Sequence, residues 1–152
     1  MSGERIAYLD TSALAKWYLN EGGSEAFVAF LQALDVAVVS SLTRTEVRSL
    51  LARRRRMGEL NADLESLLFA AFEDDVAHGH LQVYPVDDER LGEAANLIAL
   101  CPEHPLRTLD ALHLAVVRHY GIEVVATADR VMADAASTMG LGVEFVAGAT
   151  RG

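Results

Sequence analysis

Cysteine occurs once, at Cys101, so no disulfide can form within the chain. Lysine also occurs once, at Lys16, and every other basic residue is arginine. Several α/β enzyme classes need a lysine at a set place in the fold, so this scarcity narrows the field. No apolar run approaches the roughly 20 residues that a membrane helix needs. The opening residues, MSGERIAYLD, lack the basic start and long apolar stretch of a signal peptide. The expectation is therefore a cytoplasmic protein with no membrane segment. Positive charge is in short supply overall: the net charge is −9. That argues against a surface coated to grip nucleic acid broadly. It leaves room for a local basic patch, and Arg53 to Arg56 is one candidate.

What is present is an ordinary globular composition. The chain has 152 residues and is 51% apolar, which suits a single domain, 1–152, with a sizeable core. Short β-branched or apolar runs at Arg5 to Leu9, Val36 to Ser40, Leu81 to Val86, Glu123 to Thr127 and Val143 to Val146 read as strands. Pro85 marks its run as an edge strand or as the strand's end. Helices are expected at Ala13 to Leu19, stopped by Asn20 to Gly23, and from a Ser24 cap to Leu34. Further helices are expected at about 43–57, 61–77, 88–100, 107–121 and 129–139. There is no internal repeat, low-complexity segment or linker. Strands alternating with helices imply a three-layer α/β/α sandwich with a central parallel sheet. Such sheets bind ligands beyond the carboxyl ends of their strands.

Four acids fall at that edge. Asp10 follows the first strand. Glu46 is expected in the first turn of the helix after the second strand. Asp110 opens the helix from 107, and Asp129 comes two residues after the fourth strand. Each has a bland reading. Asp10 can make a turn with Thr11 and Ser12. Glu46 can complete a capping box, TRTE, with Thr43. Asp110 can favour the positive helix end with Thr108 as cap, and Asp129 can cap the last helix. None explains why Asp110 heads a row with Leu114 and Val117, beside Leu109, His113 and Val116 on the apolar side. His113 itself reads as a packed core histidine. If the four acids cluster, some hold a proton unless a cation sits among them. An oxygen-only donor set favours Mg²⁺ or Mn²⁺. HGH, His78 to His80, reads as a helix-end loop rather than a metal site.

The segments YLDTSALAKWY, TRTEVRSLL, LRTLDALHLAVV and VVATADRVMADAA appear in this order and span nearly the whole chain. Through them the sequence resembles the PIN-domain family, and within it the small VapC-type toxins of toxin–antitoxin pairs. The resemblance implies a Mg²⁺-dependent ribonuclease, with Mn²⁺ as a substitute, whose metal ligands and catalytic residues are Asp10, Glu46, Asp110 and Asp129. It implies that Asp10 and Asp110 bind directly, while Glu46 and Asp129 act through water or hold a second ion. Ser12 and Thr127 match small hydroxyl positions of the family pocket, or are ordinary turn and strand-end residues. The resemblance also implies an RNA substrate, a homodimer and an inhibitory antitoxin whose tail enters a groove over the site.

Arg44 and Arg48 flank Glu46 in sequence and are candidates to hold substrate. The run Arg53 to Arg56 either complements the helix dipole or contacts RNA or a partner. Leu14, Trp17, Phe27 and Phe30 either line the antitoxin groove or belong to the core; for Trp17 and Tyr18 a core role is the expectation. A metal-dependent phosphatase of the haloacid-dehalogenase type needs a second aspartate where Ser12 stands, and Lys16 is in the wrong element. Receiver domains need a lysine near the last strand. Glycine-rich nucleotide loops are absent. The remaining rival is a PIN-like module kept only for binding or regulation.

Overall fold

The structure is a computed structural model that describes residues 3–20 and 24–146, the side chain of Ser24 excepted. The elements run β1 (Ile6–Leu9), α1 (Thr11–Tyr18), α2 (Ser24–Gln32), β2 (Val36–Ser40), α3 (Ser41–Arg56), α4 (Ala62–Ala77) and β3 (Gln82–Tyr84). They continue with α5 (Asp88–Leu100), α6 (Thr108–His119), β4 (Val124–Thr127), α7 (Arg130–Thr138) and β5 (Gly142–Phe145). Each expected strand and helix is found, in the expected order. Of the expected helix stop, residues 21–23 lie outside the described residues, as does the Ser24 cap. Asn20 takes a positive φ of 51°. Gly58, at φ +80°, turns the chain between α3 and α4, a conformation open to a residue without a Cβ.

The five strands form one parallel sheet in the order β3-β2-β1-β4-β5. The short β3 is an edge strand and Pro85 follows it directly, so both expected roles of that proline are met. Strand pleating sorts the core. Ala7 and Leu9 face one cluster with Leu14, Phe27, Leu51 and Phe72 from α1 to α4. Tyr8 points the other way, to Val116 and Val117 of α6. Behind α6, Leu97 of α5 and Met132 of α7 close a further cluster with Leu112 and Leu114. These are the layers of the expected sandwich.

The helix α6 is not amphipathic in the ordinary sense. Every residue from Asp110 to Val117 is buried, because α6 packs on the sheet with one side and on α5 and α7 with the others. Leu109, expected on the apolar side, is instead 44% exposed. The chain builds outward from β1 to β3, then returns to place β4 on the other side of β1. The direction of building reverses between β1 and β4. In open parallel sheets that switch point leaves a crevice at the carboxyl ends of the two strands. Among the described residues no helix is long and apolar enough to cross a membrane.

Candidate active site

A cleft of about 620 Å³ opens at this switch point, and Asp10, Glu46, Asp110 and Asp129 all line it. They arrive on four elements. Asp10 precedes α1, Glu46 comes from α3, Asp110 from the first turn of α6, and Asp129 precedes α7. The charge heading the apolar row of α6 therefore faces the cleft from a buried position.

Asp10 is the deepest of the four, with 4% exposed. Its Oδ1 accepts hydrogen bonds from the Ala13 N–H at 3.0 Å and the Ser12 hydroxyl at 2.7 Å. Its Oδ2 accepts one from the Thr127 hydroxyl at 2.5 Å. Asp10 thus caps α1, which begins at Thr11 rather than Ala13. Burial raises its carboxyl above the ordinary 3.8; the hydrogen bonds from Thr127 and Ser12 oppose that rise only in part. Ser12 and Thr127 hold the carboxylate from both sides, and the Ser12 hydroxyl also accepts the Ala128 N–H at 2.8 Å.

Glu46 does not form the expected capping box with Thr43. The helix starts earlier, at Ser41, with Ser40 as its cap. Thr43 Oγ1 accepts the Ser40 N–H at 3.1 Å, and Ser40 Oγ accepts the Leu42 N–H at 3.3 Å. The helix end is satisfied without Glu46, which falls in the second turn with its side chain in the cleft. Glu46 Oε1 accepts the Thr11 hydroxyl at 2.9 Å and lies 2.6 Å from His113 Nε2. His113 is buried as expected, with 3% exposed. It is more than packing, because it lines the cleft and bonds one of its acids.

Asp110 and Asp129 share a cation. Asp110 Oδ2 accepts the Arg107 backbone N–H at 3.1 Å and its Nε at 3.5 Å. The residue at the cap position of α6 is Arg107, not Thr108. Asp129 is the cap of α7, as its bland reading supposed: Oδ1 accepts the Val131 and Met132 N–H groups at 2.8 and 3.3 Å. Its Oδ2 accepts Arg107 Nη2 at 3.0 Å. Arg107 was overlooked in the sequence, although its place three residues before Asp110 sets it on the same helix edge.

The donor set is all carboxylate, the chemistry that suits a hard divalent ion. Glu46 Oε2 and Asp110 Oδ1 accept no hydrogen bond among the described residues. Among those residues, however, no three His, Cys, Asp or Glu side chains are arranged to hold one ion. Hydrogen bonds commit several of the oxygens to the protein, and the Arg107 guanidinium supplies positive charge between Asp110 and Asp129.

The candidate substrate arginines do not reach the cleft. Arg44 pairs with Glu73 of α4 at 3.2 Å, and Arg48 lies over the Phe69 ring at 4.7 Å. Helix geometry explains this: two residues from Glu46 is about 200° around α3, while Arg53, seven residues on, returns to its row. Arg53 lines the cleft. Of the rest of that run, Arg54 pairs with Glu59 in the turn after α3, and Arg55 pairs with Glu65 in the first turn of α4, at 2.9 Å each. HGH forms the loop that ends α4.

A second groove of about 460 Å³ has a lining that includes Leu14, Trp17, Tyr18, Val28 and Leu31. Trp17 is 40% exposed, contrary to the core role expected for it, whereas Leu14 and Phe27 are buried. Tyr18 is partly buried and donates to Asp75 Oδ2 at 2.5 Å.

Residues 7–137 match the PIN domain. The chain is 34% identical over 142 residues to Ribonuclease VapC46 of Mycobacterium tuberculosis, covering 90% of this chain and 94% of that one. Among solved structures it resembles Mycobacterium tuberculosis VapC20, described as a sarcin–ricin-loop-cleaving toxin. The TM-score there is 0.69 at 20% identity, over 89% of this chain and 95% of that one. A toxin–antitoxin complex from Klebsiella pneumoniae matches with a TM-score of 0.52 at 17% identity, over 81% and 86% of the two chains. A parallel sheet with acids gathered at its switch point, and a match over most of the chain to the PIN domain and to a VapC ribonuclease, place the chain in the PIN-domain family, among its VapC-type members.

Proposed function

We propose that this protein is a metal-dependent endoribonuclease, the toxin of a VapBC-type toxin–antitoxin pair. One observation carries the reading: four carboxylates from remote parts of the chain line a single cleft, and the deepest is held where burial disfavours its charge. The relatives support it, since one is named a ribonuclease and another is described as cleaving the sarcin–ricin loop.

Asp10, Glu46, Asp110 and Asp129 would hold Mg²⁺, or Mn²⁺ in its place. When bound, the ion supplies a water of lowered pKa and relieves charge on the phosphate. Ser12 and Thr127 hold the Asp10 carboxylate in place by donating to its two oxygens. Arg107 and Arg53 would grip backbone phosphates. Both line the cleft, Arg107 with a side chain 76% exposed. Arg53 has no ion-pair partner among the described residues. Arg44 and Arg48 are replaced by this pair in that role.

The partner reading draws on the second groove. An apolar helix from an antitoxin would lie on Trp17 and Leu31, as amphipathic segments enter grooves. A neighbour solved as a toxin–antitoxin complex supports such a partner. A homodimer would cover exposed apolar residues of α5, Leu91, Ile98 and Leu100. The function is tested by incubating total RNA with the purified protein and Mg²⁺ or Mn²⁺, beside an EDTA control and an Asp110→Asn protein. Cleavage that both controls abolish is the expected result. Cleavage that survives EDTA, or a folded protein that neither cleaves nor is stabilised by Mn²⁺, overturns the proposal.

A further inference from the structure

We infer that His113 is a positioning residue: held by Tyr8, it clamps one oxygen of Glu46 so that the other is presented to the cleft. The inference rests on the metal-dependent reading above. Three elements meet at this point: β1 brings Tyr8, α3 brings Glu46 and α6 brings His113. His113 Nε2 is 2.6 Å from Glu46 Oε1, and Nδ1 is hydrogen-bonded to the Tyr8 hydroxyl. The Tyr8 and His113 rings lie 5.4 Å apart at 59°.

Proton counting gives this chain a direction. A carboxylate only accepts, so the ring proton of a neutral His113 must sit on Nε2. Nδ1 is then an acceptor, and the Tyr8 O–H is its donor. Tyr8 is fully buried, with its hydroxyl held against Nδ1. The order is therefore Tyr8 O–H to Nδ1, then Nε2–H to Glu46 Oε1. Thr11 donates to the same Oε1 at 2.9 Å from α1. Two donors saturate that oxygen, while Oε2 has no partner among the described residues.

A histidine kept only for packing would satisfy its nitrogens on backbone or water. Here both go to side chains, and one of those is a cleft carboxylate. Glu46 has three side-chain torsions to restrain, and groups that orient a ligand in this way govern how well it binds. Thr11 alone, attached to a different helix, fixes a point but not the plane of the carboxylate.

The test is the Mn²⁺ dissociation constant of the full chain, by calorimetry, with the metal-free melting temperature measured beside it. The proteins are wild type, Asp10→Asn, His113→Leu, His113→Gln and Tyr8→Phe. H113L is expected to weaken Mn²⁺ binding roughly 10- to 100-fold, the range typical of groups that orient metal ligands. H113Q keeps an N–H donor near the Nε2 position and should recover most of it. Y8F leaves the ring but frees its tautomer, and should fall between the two; it also carries the test if H113L does not fold. Loss of melting temperature with an unchanged dissociation constant marks a purely structural histidine and overturns the inference. Equal weakening by H113Q and H113L overturns it too. If wild type binds no Mn²⁺, or D10N binds as well as wild type, the metal reading fails and takes this inference with it.

Discussion

Asp10→Asn is the substitution whose effect can be worked furthest. Asp10 receives three hydrogen bonds, from Ala13 N–H, Ser12 and Thr127. An asparagine keeps the first two on its carbonyl oxygen and is as good a helix cap as aspartate. Its amide would then donate to Thr127, whose own proton can turn to Ser12 Oγ, 3.3 Å away. All three bonds survive but become neutral, a loss of about 1 kcal/mol each. Against roughly 3 kcal/mol lost stands the burial of an ion, which costs several kcal/mol. The raised carboxyl of Asp10 says which is larger, since its site as a whole disfavours the charge. Metal-free D10N at pH 7 should therefore melt no lower than wild type. The pH dependence has a definite sign. The folded protein holds the Asp10 proton more tightly than the unfolded chain, so wild-type stability falls as pH rises through the folded value. D10N lacks this dependence, and the gap between the two proteins should close as pH falls toward 3.8. Metal reverses the ranking. Mn²⁺ at 100 times its dissociation constant stabilises by about 2.7 kcal/mol, roughly 5–10 °C for a chain of this size. Differential scanning fluorimetry with and without Mn²⁺ should show that gain in wild type and none in D10N. A metal-free D10N melting several degrees below wild type would refute the electrostatic argument. A D10N that keeps the Mn²⁺ shift would refute the metal site.

The two roles of Asp129 should separate. Asp129→Ala loses the cap of α7 and about 1 kcal/mol, while Asp129→Ser should restore the melting temperature but not RNA cleavage; recovery of both would reduce Asp129 to a cap. Arg107→Gln should lower kcat/KM and flatten the salt dependence of RNA binding, by about 0.7 in log–log slope for one phosphate contact on a single strand, as read by fluorescence anisotropy. Arg44→Ala and Arg48→Ala, which act on α4, should leave cleavage unchanged and cost under about 1 kcal/mol each in chemical denaturation; a large loss of cleavage in either would return substrate binding to that face.

The elements were legible because their signals are local. Five short apolar runs and the helices between them can be read from neighbours a few residues apart, and those signals imply a parallel sandwich. Asp10 stood out because it directly follows a strand, and Asp129 because it comes two residues after one. Asp110 stood out because a charge heads an apolar row. What escaped was whatever depended on where an element begins or what lies across from it. Ser40 outcompeted Thr43 as the cap of α3, and that shift of three residues took Glu46 out of the helix end and into the cleft. Arg44 and Arg48 lie off the face of α3 that lines the cleft, which carries Leu42, Thr45, Glu46, Ser49, Leu50 and Arg53; only the helix's rotation in the fold sets that face.

By itself the sequence determined the fold class and the order of the elements, which follow from periodicity, and it set Asp10, Asp110 and Asp129 at the carboxyl edge of the sheet. The tertiary structure decided which partners those acids have. Arg107 between Asp110 and Asp129, Thr127 against Asp10, and Tyr8 and His113 behind Glu46 are pairings of atoms brought together by the sheet's switch point. Apart from Arg107 and Asp110, they are residues 22 to 117 positions apart in the chain. No local pattern encodes such pairings, because hydrogen bonds depend on distances of a few tenths of an ångström that only the packed core sets.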